Sequence, residues 1–418
     1  MDGLLQGRQV VVAACGSIAA VKTPLLVSAL VKEGAQVRCL VTSSAAQLVS
    51  PVALACLSRH SCLQDADQWD PSRSRPLHIE LAEWADLVIV APLSASSLSR
   101  WVHGEGEGLL ASLLLACECP VLAAGAMNTA MWQHPAVQRN WLTLHGDPRV
   151  LPLAPEAGLL ACDRVGTGRM AAPECLVLAA ASMFLQADKQ GRLRCDWRGK
   201  RVLISAGPTQ EPLDSVRLIS NRSSGRMGVL LAQAARFRGA YVDLVHGPLK
   251  VPEAWLEGLN CLPAFSSAAM ELCLLEHQPR ADAVLMCAAV ADLRRKRLED
   301  SSKLPKGELM KTIAEGWEQV PDLLQLLRSR RPARQRLLGF AALAGDDKTL
   351  LQRGYEKYQA KGCDLLMVNP IDRPNQGLDC DLNGGWLIGP GERQEEMPAM
   401  HKFALAHDLL DRLSQLGD

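Results

Sequence analysis

The chain has 418 residues, 48% hydrophobic and 22% charged, which describes a globular protein of two or three domains and excludes a disordered, collagenous or coiled-coil chain. Lys+Arg and Asp+Glu both number 45, so the formal charge is zero, which argues against a protein that lives on nucleic-acid phosphates but not against a local patch of positive potential. Aromatic residues make up only 4%, and a core of Ala, Leu and Val suits helices packed on parallel strands. The start carries Asp2 and Arg8 and does not read as a signal peptide. The longest uncharged stretch, 119–138, is broken by Pro120, Asn128 and Pro135, so no membrane span is expected. The 14 scattered cysteines then fit a cytoplasmic protein with reduced thiols, and Cys117-x-Cys119, with no histidine pair nearby, is not read as a zinc site.

In chain order, a β-branched strand is predicted at 10–14, closed by Cys15-Gly16-Ser17. A helix over 19–33 follows, with Gly34 as its terminator. Strands are expected at 37–42, 87–91 and 121–124, with helices at 79–85 and 109–117 between them. This alternation means βαβ units and a parallel sheet. The polar segment 188–192 marks a domain break, placed between 190 and 191. A fresh strand at 202–205 ends in Gly207-Pro208-Thr209, and further strands are expected at 241–245, 283–287, 337–340 and 365–368. Asn383-Gly384-Gly385 before 386–388 predicts a late hairpin, and 397–416 a closing helix. The fold class is therefore α/β, with two Rossmann-like domains.

Ligands of open parallel sheets bind beyond the carboxyl ends of the strands. Gly16 allows a tight turn there, and Ser17 adds a hydroxyl at a helix start, although an ordinary N-cap serine has the same signature. Thr42-Ser43 and Pro92-Leu93-Ser94-Ala95 end two further strands. Three such loops suit a flavin phosphate and ribityl chain, while the missing G-x-G-x-x-G disfavours NAD. In the second half, Asn221-Arg222-Ser223-Ser224-Gly225-Arg226 precedes a helix and suits an anionic ligand, with a solvated loop capping the helix as the lesser alternative.

Several longer motifs carry a family resemblance. His78-Ile79-Glu80-Leu81-Ala82-Glu83-Trp84-Ala85-Asp86, Ala126-Met127-Asn128-Thr129-Ala130-Met131-Trp132 and Leu160-Ala161-Cys162 through Gly166-Thr167-Gly168-Arg169-Met170 resemble signatures of flavin-containing cysteine decarboxylases. Ile204-Ser205-Ala206-Gly207-Pro208-Thr209, Ile219 through Gly225, Ala288-Ala289-Val290-Ala291-Asp292, Pro321-Asp322-Leu323-Leu324 and Gly339-Phe340-Ala341-Ala342 resemble a cytidylate-forming ligase. Together, over roughly residues 8–412, the chain resembles the bifunctional phosphopantothenoylcysteine decarboxylase/phosphopantothenate–cysteine ligase family of bacterial coenzyme A synthesis. It departs from the family pattern at Gly125, Asp163, Arg226, Pro305, Leu343 and Ala344. A non-catalytic flavoprotein of the same fold and a decarboxylase with an impaired ligase half are the alternatives.

The resemblance implies a flavodoxin-like N-terminal decarboxylase domain, 1–190, and a C-terminal ligase domain, 191–418. It implies that FMN oxidises the substrate's cysteine thiol to a thioaldehyde, so that CO₂ leaves to give a stabilised enethiolate, which a protein acid then protonates. His78 maps to the active-site histidine, Asn128 to the asparagine that holds the carboxylate, and Cys162 to the proton donor. The lesser, structural readings of these residues are a helix-start histidine, a turn asparagine and a buried structural cysteine. FMN is expected at Gly16, Ser17, Ile18, Thr42, Ser43, Pro92, Ser94 and Ala95, and substrate at Met127, Asn128, Arg169 and Met170. For the ligase, the implied CTP residues are Ala288, Ala289, Asp292, Lys303, Pro321, Asp322, Leu323, Leu324, Phe340, Lys357 and Lys361. Lys306 belongs to the same lysine region. Asn221 and Lys303 are expected to act in catalysis and Asp292 to hold Mg2+. Lys357 and Lys361 read by themselves as solvated helix lysines. The implied partners are 4′-phosphopantothenate, cysteine, CTP and further copies of the chain, as trimeric decarboxylase and dimeric ligase contacts up to a dodecamer.

Overall fold

The computed structural model describes residues 3–296, 303–307, 313, 315–377, 379–391 and 393–416. The chain divides into two compact units, Met1–Arg194 and Cys195–Asp418.

The first unit holds the strands β1 (Gln9–Ala14), β2 (Gln36–Val41), β3 (Leu87–Leu93), β4 (Val121–Gly125) and β5 (Val150–Leu153). They form one parallel sheet in the order β2-β1-β3-β4-β5, the flavodoxin-like arrangement. Every residue of β3 is buried, as a strand covered by helices on both faces requires. A small antiparallel ribbon, β6 (Glu156–Leu159) with β7 (Val165–Arg169), follows the sheet.

The predicted helix at 19–33 is two pieces: a 3-10 turn, Ile18–Lys22, and the α-helix Thr23–Lys32. Pro24 explains the division. It lacks an N–H and fits only the first turn of an α-helix, so the α-helix starts beside it. Gly34 follows at φ +90°, as its expected role demands.

The second unit holds β8 (Arg201–Ala206), β9 (Gln210–Pro212), β10 (Leu218–Ser220), β11 (Tyr241–His246), β12 (Asn260–Pro263), β13 (Ala283–Met286), β14 (Leu293–Arg295), β15 (Trp317–Gln319), β16 (Arg336–Leu343), β17 (Leu365–Pro370), β18 (Leu382–Gly389) and β19 (Arg393–His401). The main sheet runs β12-β11-β8-β13-β16-β17-β18-β19. Its first six strands are parallel and reverse order between β8 and β13, as in a dinucleotide-type Rossmann sheet. The last two are antiparallel.

Two expectations at this end are corrected. Residues 397–401 are strand, and the closing helix is Lys402–Gln415. Pro398 is admitted because β19 is an edge strand. The late hairpin exists, but it turns after Gly389, and Asn383-Gly384-Gly385 lies inside β18 as a bulge. The two glycines are there for close approach: a Cβ at Gly384 would sit 2.8 Å from the Met397 carbonyl oxygen, and one at Gly385, φ +130°, would overlap that of Val368. Gly385→Ala should therefore destabilise the protein by roughly 2–3 kcal/mol. A urea unfolding curve for the C-terminal unit reads this, and an unchanged midpoint would contradict the packing.

Candidate functional sites at the carboxyl ends of two sheets

In the first unit, the loops after β1, β2 and β3 meet at the topological switch point. Ser17 Oγ accepts from the Ala19 N–H at 3.5 Å, Thr42 Oγ1 from Ala45 N–H at 3.3 Å, and Ser94 Oγ from Ser97 N–H at 3.3 Å. The hydroxyls thus cap their own turns, and those of Thr42 and Ser94 belong to residues that also line a cavity of about 560 Å³, together with Gly16, Ser43, Ser44, Ser97 and Arg100 among others. Ser97 and Arg100 were not singled out from sequence, although the hydroxyl-rich run 94–99 carried the signal. A second, more apolar cavity of about 510 Å³ shares Gly16 and Ser94. It is lined by Ser17, Ile18, Ala95, Met127, Asn128, Cys162, Arg169 and Met170.

The ribbon β6–β7 brings Cys162 to this second cavity. Its tip turns through Asp163 at φ +59°. Its base is held by the Met127 N–H donating to the Gly168 carbonyl at 3.1 Å. Asn128 caps the helix Thr129–Gln133 with Oδ1, accepting from Ala130 N–H at 2.9 Å, and its Nδ2 donates to Cys162 Sγ at 3.6 Å. Cys162 is exposed, which overturns its reading as a buried structural cysteine. Cys15, just before Gly16, is fully buried, and that burial pushes its thiol up despite hydrogen bonds at Ser97 and Ser94. His78 and Pro92 line neither cavity. His78 is half-buried near the start of the helix Leu77–Trp84, and Pro92 is buried in β3 with its carbonyl accepting from Cys15 N–H at 3.1 Å.

In the second unit, the loops after β8 and β13 are laced across the switch point. Thr209 N–H donates to Ala289 O at 3.2 Å, Ala289 N–H to Gly207 O at 2.9 Å, and Ala291 N–H to Thr209 Oγ1 at 2.9 Å. Asn221 Nδ2 donates to the carbonyls of Ala289 and Val290, both at 3.2 Å. A cavity of about 550 Å³ beside them is lined by Asn221, Ala288, Ala289, Asp292, Phe340, Lys357 and Lys361, and also by Arg222, Arg226, Asn369 and Lys402. A smaller one of about 240 Å³ gathers Pro321, Asp322, Leu323 and Leu324 with Ala288, Asp292, Phe340 and Lys361.

Asp322 joins these features. Its Oδ1 caps the helix Leu323–Arg330, accepting from Leu324 and Gln325 N–H at 3.1 Å, and its Oδ2 accepts from Lys361 Nζ at 2.7 Å. Burial works against its charge, but the Lys361 ammonium and the helix N–H groups outweigh burial and hold the carboxyl below its usual range. Arg226 is ion-paired with Asp381. Lys303 and Lys306 are exposed and line neither cavity. The neighbouring Leu304 is tied down: its N–H donates to Asp214 Oδ2 at 3.2 Å and its carbonyl accepts from Arg217 Nη2 at 2.7 Å. No cluster of three or more His, Cys, Asp or Glu that could hold a metal occurs among the described residues.

Comparison with known proteins follows the same division. A flavoprotein family model matches residues 2–184, and a DNA/pantothenate metabolism flavoprotein C-terminal domain model matches 197–416. The chain is 34% identical to the Bacillus subtilis coenzyme A biosynthesis bifunctional protein CoaBC over 415 residues, covering 99% of this chain and 98% of that protein. It is 32% identical to the Escherichia coli K12 protein of the same description over 417 residues, covering 98% and 97%. A crystal structure of the C-terminal domain of a CoaBC protein is 27% identical, covers 53% of this chain and 97% of that one, and gives a TM-score of 0.43. The first half is thus a flavoprotein domain joined to a second α/β unit. The chain belongs to the family of bifunctional coenzyme A biosynthesis proteins, enzymes with a decarboxylase half and a ligase half.

The Asp214 carboxylate gives a pH prediction. The Arg217 guanidinium, then backbone N–H groups including that of Leu304, hold its pKa well below the ordinary value. A depressed carboxyl pKa contributes stability above the unfolded value of about 3.9 and loses it as pH falls through the folded value. Asp214→Asn should therefore lower stability near neutrality and flatten the acid limb of the stability–pH curve below about pH 4. Urea midpoints at pH 7 and pH 3 check this, and parallel curves for both proteins would contradict it.

Proposed function

We propose that the C-terminal half joins cysteine to 4′-phosphopantothenate with CTP and that the N-terminal half, with FMN, decarboxylates the product to 4′-phosphopantetheine, in the cytoplasm. The observation that carries the reading is the Asn128–Cys162 contact inside a cavity shared with the flavin-type loops.

The residues present fit FMN. A Cβ at Gly16 would lie 2.5 Å from Ser44 Cβ, so only glycine leaves the junction of the two cavities open. The hydroxyl-lined cavity with Arg100 suits a phosphate and ribityl chain, and Ile18, Met127 and Met170 suit an aromatic ring system. Gly16, Ser17, Ile18, Thr42, Ser43, Ser94 and Ala95 would hold the cofactor directly, with Pro92 behind them. When bound, the flavin supplies reversible oxidation of the substrate thiol, which makes the carbon–carbon bond breakable.

The chain's own groups then steer charge and protons. Asn128 Nδ2 is a donor for the substrate carboxylate, and Arg169 balances substrate charge. Cys162, beside Asn128 and open to solvent, gives its proton to carbon once CO₂ has left. His78 lines neither cavity of the first unit described above, so its proposed part in orienting or deprotonating substrate depends on association of copies that brings it to a neighbour's cleft.

In the ligase half, the phosphopantothenate carboxylate attacks the α-phosphorus of CTP and expels pyrophosphate. The cysteine amine then attacks the acyl carbon and expels CMP. Lys357, Lys361 and Arg222 offset triphosphate charge, and Phe340 lines the base pocket. Asn221, braced by Ala289 and Val290, faces the acyl-cytidylate. Asp292 is the carboxylate for Mg2+, which is commonly held by one or two carboxylates plus substrate phosphates. Lys303 reaches the nucleotide from the strap anchored at Asp214.

The protein should be yellow and should convert 4′-phosphopantothenate, cysteine and CTP into phosphopantetheine, CO₂ and pyrophosphate. A colourless protein that takes up no FMN would sink the decarboxylase reading, and no CTP-dependent pyrophosphate would sink the ligase reading. Cys162→Ser should release CO₂ yet fail to deliver phosphopantetheine, and normal product would refute the proton-donor role. Lys303→Gln should suppress pyrophosphate release while decarboxylation of supplied phosphopantothenoylcysteine persists.

A further inference from the structure

The large cavity of the second unit contains two buried donors to which the ligase reading assigns no task. Asn369, near the carboxyl end of β17, is 7% exposed, and its side-chain Nδ2 has no hydrogen-bond partner. Buried amide N–H groups are nearly always satisfied, so an orphan facing a cavity points to an acceptor that arrives from outside. Lys402, the first residue of the closing helix, is 2% exposed and lines the same cavity. Its Nζ donates to the Gly377 carbonyl at 2.8 Å, a contact that directs the ammonium. Its charged surroundings are Arg226, already paired with Asp381, and the thiols Cys287 and Cys380. Burial, then the like charge of Arg226, lowers its pKa, and burial pushes the Cys287 thiol up to about 12.

Both groups offer donors at this wall, and one carries charge, so the complementary group is an oxyanion. Neither residue lines the smaller Pro321–Leu324 cavity, which places them on a separate stretch of wall. The fold holds them in place: Asn369 pairs with Ala342 of β16 in the parallel register, and Lys402 N–H donates to Asp381 O at 2.9 Å.

We propose that Asn369 and Lys402 together form a phosphate-binding subsite of the ligase half, with the amide Nδ2 and the ammonium donating to phosphate oxygens of a substrate. The subsite rests on the ligase reading above. Both phosphorylated substrates, CTP and 4′-phosphopantothenate, carry the required chemistry, and separate kinetic arms distinguish them.

The test uses the full chain. If the wild-type protein forms no pyrophosphate from the three substrates, the ligase reading fails before the subsite is reached. With an active wild type, KM for CTP and for 4′-phosphopantothenate are measured separately in Asn369→Leu, which keeps size and removes the donor, and in Lys402→Met, which keeps length and removes charge. Both variants should raise KM for the same one of the two substrates by about tenfold or more, the scale of a lost charge-assisted hydrogen bond. The KM values for the other substrate and for cysteine should stay within about twofold. A shift for CTP places the triphosphate here, and a shift for 4′-phosphopantothenate places its terminal phosphate here. The near-isosteric pair Asn369→Asp and Lys402→Arg remains readable where larger changes impair folding. Asn369→Asp should weaken the same substrate more than Asn369→Leu, because a carboxylate repels phosphate, and Lys402→Arg should retain most of the affinity. Unchanged KM for both phosphorylated substrates, or tighter binding by Asn369→Asp, overturns the subsite.

Discussion

The hydrogen bond from Met127 N–H to the Gly168 carbonyl is the contact on which the N-terminal cleft depends. It forms because residue 168 has no side chain: a Cβ there would overlap the Met127 carbonyl oxygen. This close approach presses the two-stranded ribbon onto the end of β4, and only then does Cys162 reach Asn128. Gly166 repeats the device against Thr129. A ribbon of two short strands has little stability alone, so its docking, not its own pairing, gives the thiol a defined place.

The C-terminal half solves a similar problem by lacing loops instead of docking a ribbon. Hydrogen bonds between residues 207–209 and 289–291 join the strand ends on either side of the sheet reversal. Ala288, Ala289, Val290 and Asp292 beside them line the cavity, with Asn221 braced on the carbonyls of Ala289 and Val290. In both halves Asn128, Cys162 and Asn221 stand on loops, while the parallel strands beneath, such as β3 and β13, are buried and apolar. This is the division of labour expected when a rigid sheet positions variable loops.

Much of this was legible in the sequence. Strands such as 87–91 and 202–205 announce themselves as short runs rich in Val, Ile and Leu, and the loops that follow them carry Gly, Ser, Thr and Asn where an open sheet binds ligands. The residues named from family motifs at 127–128, 162 and 169–170 do gather in one cavity. What stayed hidden has physical causes. Apolar spacing in 397–416 is compatible with helix throughout, and only pairing with β18 makes 397–401 a strand. Gly384 and Gly385 look like a turn because the sequence does not show the Met397 and Val368 carbonyls against them. Lys402 looks like a surface lysine at a helix start, and its burial depends on Gly377, 25 residues away. His78 and Lys303 are recognisable as motif residues, but they line none of the cavities described above.

Each unit has its own sheet, its own apolar interior and its own ligand-facing edge. The boundary between the two units falls between Arg194 and Cys195. A lesion in one unit leaves the residues proposed to act in the other in place, so two alleles damaged on opposite sides of that boundary can complement each other in trans.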